Sequence, residues 1–317
     1  MKFSFLLSGE NVELAKLEVL SLAEAFGTLR GYEVDERVLT VEFDGETFFH
    51  RLALSHEAME LFSTCDLSEL EAVFSEVEVS RSFCVRVSGV NAKVERDLER
   101  GLGAILWKKG ARVDLRNPEE IVRVYVTPRR CYVGFLRFKQ DKKQFSARKP
   151  NLRPFFMPIV MPPKLSRAIV NLTSLKNGIV LDPMCGTGSF LIELGILGLR
   201  FCGMDYYRDI VEGCRRNLVS MNLDANVLQG DARRMPFKSE SFDGVVTDFP
   251  YFKATRKAAS GELYEKAMEE IERVLKDRRR AVIVTNVELR EFPMQLIAKV
   301  DHRVHKSLTR RIYVLEK

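Results

Sequence analysis

Apolar and polar positions along this chain fall into short runs of period two and longer runs near period 3.6, and the order of these runs changes near residue 163. Before that point, KFSFLLS alternates loosely as a strand, and residues 11–26 carry Leu14, Leu17 and Leu20 at helical spacing. Strand-like runs follow at 28–34 and 37–43, then helical segments at about 45–62 and 67–75. FCVRVSG, 83–89, alternates as a strand with Arg86 among apolar neighbours, and a helix is expected at about 93–109. NPEEIVRVYVTPRRCYVGFLRF reads as a hairpin, with strands 121–127 and 131–138 around a turn at Pro128 and Arg129. From 163 helices and strands alternate regularly. Helices are expected at 164–175, 188–197, 207–221 and 260–276, and strands at 178–182, 200–205, 226–231, 243–248 and 280–286. The final runs, KVDHRVHKS and RRIYVLEK, predict a closing antiparallel hairpin. The fold class is therefore α/β: a doubly wound sheet in the C-terminal part, behind an N-terminal α+β region. The expected divisions are 1–80, 81–138, a linker at 139–162, and 163–317.

Charge sharpens these divisions. Residues 1–80 hold 5 basic and 17 acidic residues, residues 81–160 hold 19 and 7, and the remainder 26 and 20. Positive charge thus concentrates mid-chain, where it can meet a polyanion. KQDKKQFSARKPNLR, 139–153, is dense in Lys and Arg with one acid and little periodicity, so it reads as a linker along a nucleic-acid path. Arg129, Arg130, Lys142, Lys143 and Arg148 are the candidate phosphate contacts. The longest apolar run, FLIELGILGL, contains Glu193 and falls short of a membrane span, and the N-terminal apolar run is too short for a secretory signal. The protein reads as cytoplasmic. Six cysteines without a C-x-x-C pair, and four scattered histidines, lead us to expect neither a disulfide nor a metal site.

Ligands of a doubly wound sheet bind beyond the carboxyl ends of its strands, and here the expected strands end in acids. VLDPMCGTGSF places Asp182 before Gly186 and Gly188, which open a helix and let backbone approach a ligand. Asp205 ends the next strand, placed for ribose hydroxyls, and Asp231 in QGDA the one after. A nicotinamide dinucleotide site would favour a third glycine where this chain has Phe190 or Leu191. The bland alternative is a set of acids capping helices. TDFPYF, 247–252, then sets a carboxylate, Asp248, ahead of Phe249, the rigid Pro250 and the aromatic Tyr251.

Together DPMCGTG, GMD, GDA and DFPY resemble the cofactor and catalytic motifs of S-adenosylmethionine-dependent amino-group methyltransferases of Rossmann fold. The resemblance implies S-adenosylmethionine as cofactor. It places Asp182, Pro183, Gly186 and Gly188 near the methionine end, Asp205 and Tyr206 at the ribose, and Asp231 and Ala232 at the adenine. Asp248, Pro250 and Tyr251 are the implied catalytic residues: the carboxylate and the Phe249 carbonyl orient a base amine while Tyr251 stacks on the extruded ring. The usual form of this motif has proline where Phe249 stands. The span from FCVRVSGV to CYVGF resembles a THUMP domain, an RNA-binding module. RPFFMPIVMPPKLSRAIVNLT and HKSLTRRIYVL resemble flanking segments of archaeal Trm11-like tRNA (guanine10-N2)-methyltransferases. The implied substrate is tRNA, some relatives work with a small zinc-binding Trm112-like activator, and the implied products are mono- and dimethylguanosine. Alternatives are methylation of guanine 6 of tRNA, of ribosomal RNA or of a DNA amine, and a non-catalytic RNA-binding protein with a vestigial cofactor site.

Overall fold

The computed structural model describes residues 1–141, 143–158, 160–251, 257–305 and 308–317. The chain forms two units, the first from 1–12, 27–49 and 55–140, the second from 13–26, 50–54 and 141–317. In chain order the first part reads β1 (Lys2–Leu7), α1 (Val12–Phe26), β2 (Gly27–Asp35), β3 (Val38–Gly45), β4 (Ser55–Cys65), α2 (Leu70–Glu76), β5 (Phe83–Ser88), α3 (Ala92–Lys108), β6 (Glu120–Val126) and β7 (Cys131–Lys139).

Strands β1 to β7 make one sheet in the order β2-β3-β1-β4-β7-β6-β5. Its pairs are antiparallel except β5 with β6, which α3 connects as a crossover. The Asn91 side chain caps α3 by accepting from the backbone N–H of Lys93 and Val94. Leu102 and Leu106 of α3 then pack with Phe74, Val85, Val122 and Val133 in a dry core. At the β6–β7 turn the Thr127 hydroxyl accepts from the Arg129 and Arg130 amides and donates to Asp35.

The helix expected over 45–62 is not formed. Phe49–Arg51 makes a single 3-10 turn, and Ser55–Cys65 is β4, paired with β1 on one side and β7 on the other. Glu57, Ala58, Met59, Glu60 and Leu61 are good helix formers, but propensity is a weak term. Two flanking strands and the full burial of Ala58 and Met59 outweigh it.

The second unit continues with α4 (Lys143–Ser146), α5 (Pro163–Asn171), β8 (Ile179–Asp182), α6 (Ser189–Ile196), β9 (Arg200–Asp205), α7 (Arg208–Ser220), β10 (Val227–Gln229), β11 (Phe242–Asp248), α8 (Lys257–Val274), β12 (Leu275–Thr285), β13 (Gln295–His305) and β14 (Leu308–Glu316). The sheet runs β10-β9-β8-β11-β12-β14-β13. The first five are parallel, and β14 and β13 add as an antiparallel hairpin. The chain leaves β8 toward β9 and β10, then returns to start β11 on the other side of β8. That reversal is the topological switch point, where the crevice for a ligand opens.

Helix α1 belongs to this second unit. Its Glu18 is fully buried, and the carboxylate accepts from the Ala53 and Leu54 amides at 2.8 and 2.7 Å and from Asn171 of α5 at 2.8 Å. Burial raises the Glu18 pKa against these bonds. Among the described residues no helix is long and apolar enough to cross a membrane.

Candidate active site

β8 is a short, almost wholly buried strand, and its last residue Asp182 is 1% exposed with Pro183 buried behind it. The loop to α6 turns through Gly186 at φ 51° and Gly188 at φ 85°, left-handed conformations that favour glycine. A Cβ on Gly188 would come within 2.8 Å of the Cys214 sulfur, whereas one on Gly186 would meet nothing within 4 Å. The backbone at Gly186 therefore faces open space. Its N–H donates at 3.0 Å to Asp205, which ends β9 and also accepts from the Tyr207 amide at 3.2 Å.

The acids differ in their electrostatics. Burial pushes Asp182 well above the usual carboxylate range, and the charges of Asp205 and Asp248 add to it. Burial also raises Asp205, although three backbone amides lower it. A cation beside these carboxyls would favour their ionised forms against the burial. Asp231, two residues past β10, instead sits under the Arg233 guanidinium, 2.6 Å away, which lowers its pKa. Ala232 beside it is buried, and Tyr206 is exposed, edge-on to Tyr207.

At the switch point β11 delivers Asp248 next to the end of β8, with Val245 in register with Leu181. Phe249 turns inward, fully buried, with its amide donating to the Val284 carbonyl at 2.8 Å and its ring stacked on Tyr264 at 4.7 Å. Proline at this position could not donate that bond, so Phe249 serves as the anchor of the motif. Pro250 is exposed, and its carbonyl accepts from the Tyr264 hydroxyl at 2.6 Å. Asp248 is half-buried, and burial pushes its pKa up to about 6 against the pull of Arg310 and a bond from Tyr251. The Tyr251 hydroxyl donates to Asp248 Oδ1 at 2.8 Å and accepts from Arg310 Nε at 3.0 Å.

Arg310 was not singled out from the sequence, although it lies in the HKSLTRRIYVL segment. A signal was present: in a strand of period two, Arg310 shares its face with the buried Ile312 and Val314. Asn217 of α7 was missed too. Fully buried, it pairs with both backbone polar groups of Phe155 at 2.8 and 2.9 Å and donates to the Thr187 carbonyl, tying the linker to the glycine loop. Arg153 adds a bond to Ser189 at the start of α6.

The phosphate-contact candidates separate. Arg129 and Arg130 stand at the β6–β7 turn of the first unit, Arg129 73% exposed and 3.9 Å from Asp35, Arg130 3.5 Å from Glu33. Lys143 is exposed at the start of α4, and Lys142 lies outside the described residues. Arg148 is corrected. Its guanidinium is buried, forked onto both oxygens of Glu193 at 2.9 and 3.0 Å, and it cannot reach a phosphate without leaving a fully buried carboxylate.

A switch-point crevice bordered by a glycine turn, strand-end acids and an Asp-Phe-Pro-Tyr turn defines a Rossmann-fold, S-adenosylmethionine-dependent methyltransferase. The chain belongs to the family described as the RMKL-like methyltransferase domain (UPF0020), whose model matches residues 150–310. It is 34% identical to the tRNA (guanine(10)-N2)-dimethyltransferase of Pyrococcus abyssi over 96% of each chain. It is 32% identical to the enzyme of the same name from Methanothermobacter thermautotrophicus over 100% of each. TrmN from Thermus thermophilus, 21% identical, matches the fold with a TM-score of 0.54 over 100% of both chains.

Proposed function

We infer that this chain is an enzyme that methylates the exocyclic N2 of guanine 10 in tRNA, yielding N2-methyl- and N2,N2-dimethylguanosine. The observation that carries this reading is Asp248, held half-buried at the switch point beside the glycine loop, in a chain alike end to end to enzymes named for that reaction. S-adenosylmethionine, when bound, supplies an electrophilic methyl group. The open backbone at Gly186 and the acids Asp182 and Asp205 suit its cationic methionine end and ribose, and the family resemblance assigns Pro183, Gly188 and Tyr206 to the same part of the site. Asp231 and Ala232 serve the adenine.

The guanine amine is a poor nucleophile because its lone pair is delocalised into the ring, so it needs orientation more than deprotonation. Asp248 accepts one N–H and the Phe249 carbonyl the other, turning the lone pair to the methyl group. With the amine so held, its surplus proton would leave to Asp248 or water once the nitrogen carries the methyl group. A carboxyl near pH 6 is ionised at neutrality, ready to accept. Pro250 fixes the turn, and the ring of Tyr251 stacks on the extruded base.

The first unit reads as the THUMP-containing RNA-binding part, with Arg129 and Arg130, and Lys142 and Lys143 of the linker, on phosphates. tRNA is the partner this reading requires, in the cytoplasm. A small zinc-binding activator would add its strand to β10 or β13, the edges of the second sheet. Asp248→Ala tests the assignment: cofactor binding by calorimetry should persist while methyl transfer is lost, and wild-type turnover in that variant would remove Asp248 from the chemistry.

A further inference from the structure

β14 is antiparallel to its neighbour β12, so its beginning lies at the edge where the parallel strands end. Arg311 pairs with Thr285, the last residue of β12, and Arg310 stands one residue before it. Its side chain is 3% exposed. From there the Arg310 Nε–H donates to the Tyr251 oxygen at 3.0 Å, and the Tyr251 O–H donates to Asp248 Oδ1 at 2.8 Å. A directed chain of donors thus runs from a buried guanidinium through a phenol to the carboxylate. Among the described residues this chain occupies Oδ1 and leaves Oδ2 for a substrate amine.

We propose that Arg310 is a positioning residue for methyl transfer, pinning the Tyr251 hydroxyl so that its ring is a fixed stacking platform and Asp248 presents Oδ2 to the amine. The inference rests on the assignment of Asp248 as the group that orients the base. Both side chains that meet the base are locked by one buried cation, which removes the entropy cost of ordering them at each turnover. The groups facing Asp248 among the described residues are Arg310 from β14, Tyr251, Asp182 from β8 and Tyr264 from α8. Arg310 is the cation among them and favours the ionised carboxylate.

The test is a pair of variants and their combination, Arg310→Gln, Tyr251→Phe and both together, assayed as kcat/KM against pH with S-adenosylmethionine and tRNA transcript. Each single change should cut kcat/KM about tenfold or more, the effect of losing a bond to a charged group. The acid limb of Arg310→Gln should move to higher pH, because the carboxylate loses its cation. Arg310→Lys should return the limb toward the wild-type position. On the plateau above the acid limb, where Asp248 is ionised in every variant, Arg310 acts through the tyrosine, so the double variant should be little worse there than Tyr251→Phe. Multiplicative losses in the double variant, or an unmoved acid limb in Arg310→Gln, would overturn the proposal. Should Arg310→Gln fail to fold, Tyr251→Phe decides in its place: kcat/KM at the wild-type level in that variant would show that the pinned hydroxyl is not needed. Asp248→Asn separates this inference from the one beneath it. If that variant keeps full transfer, the Asp248 assignment fails; if it is inactive while the Arg310 variants match wild type, Arg310 alone is wrongly placed.

Discussion

Replacing Glu193 by glutamine should be among the most destabilising single changes in the second unit. Glu193 is fully buried on α6, with one oxygen 2.9 Å from Arg148 and the other 2.8 Å from Arg167 Nε. Arg153 is also buried nearby, its pKa lowered by burial and raised by Glu193. Glutamine keeps the shape and removes the charge, leaving guanidiniums in a dry interior with Glu18 as the remaining acid acting on Arg167. Breaking one partner out of a buried pair costs about 3–5 kcal/mol. At about 2–4 °C per kcal/mol for a unit of this size, Tm should fall by about 6–20 °C. Thermal unfolding followed by circular dichroism measures this, and added salt should restore little because buried charges are poorly screened. The combination Glu193→Leu, Arg148→Met, Arg167→Met should recover much of the loss, since uncharged side chains of similar volume need no partner. A Glu193→Gln protein melting within about 2 °C of wild type would refute the reasoning, the reverse of the large drop that a buried, unpaired charge produces.

Arg148→Met should lower Tm yet leave the salt slope of tRNA binding unchanged, whereas Arg129→Ala, Arg130→Ala or Lys143→Ala should each reduce that slope by about 0.7–0.9 in filter-binding titrations. A reduced slope for Arg148→Met would return that residue to the RNA contacts. Asp205→Ala should weaken S-adenosylmethionine about tenfold or more in calorimetry, through the lost hold on the Gly186 amide; unchanged affinity would discard its role. The Asp248 value near 6 lies above the unfolded one of about 3.9, so the neutral form favours folding and this contribution fades as pH rises through 6. Asp248→Asn should therefore raise Tm at pH 8 and much less at pH 4, and equal gains at both would contradict the burial of this carboxylate.

Much of the second unit was legible because parallel strands buried on both faces write themselves as short apolar runs, and turn chemistry ends them at Asp182, Asp205 and Asp248. Hidden were the features set by tertiary partners. β4 has the composition of a helix and becomes a strand because β1 and β7 lie on either side. α1 has ordinary helical spacing, and nothing local says that its buried Glu18 meets Asn171 153 residues on. Arg148 looked like one more cation of a basic linker, and only the fold places Glu193 against it. Phe249 departs from the usual proline because its amide and ring are both used in packing. The Arg310–Tyr251–Asp248 chain spans β11 and β14, a pairing of distant segments that periodicity cannot supply.

If the second unit transfers methyl groups to N2 of one guanine in tRNA, the product will carry them at that base. The most direct measurement is incubation of the purified chain with S-adenosylmethionine and an unmodified tRNA transcript, followed by nuclease mapping and mass spectrometry. Methyl groups are expected on N2 of guanine 10, and none when Asp248 is alanine. Methylation at guanine 6 or at another base, or an unmodified transcript despite tight cofactor binding, would contradict that reading.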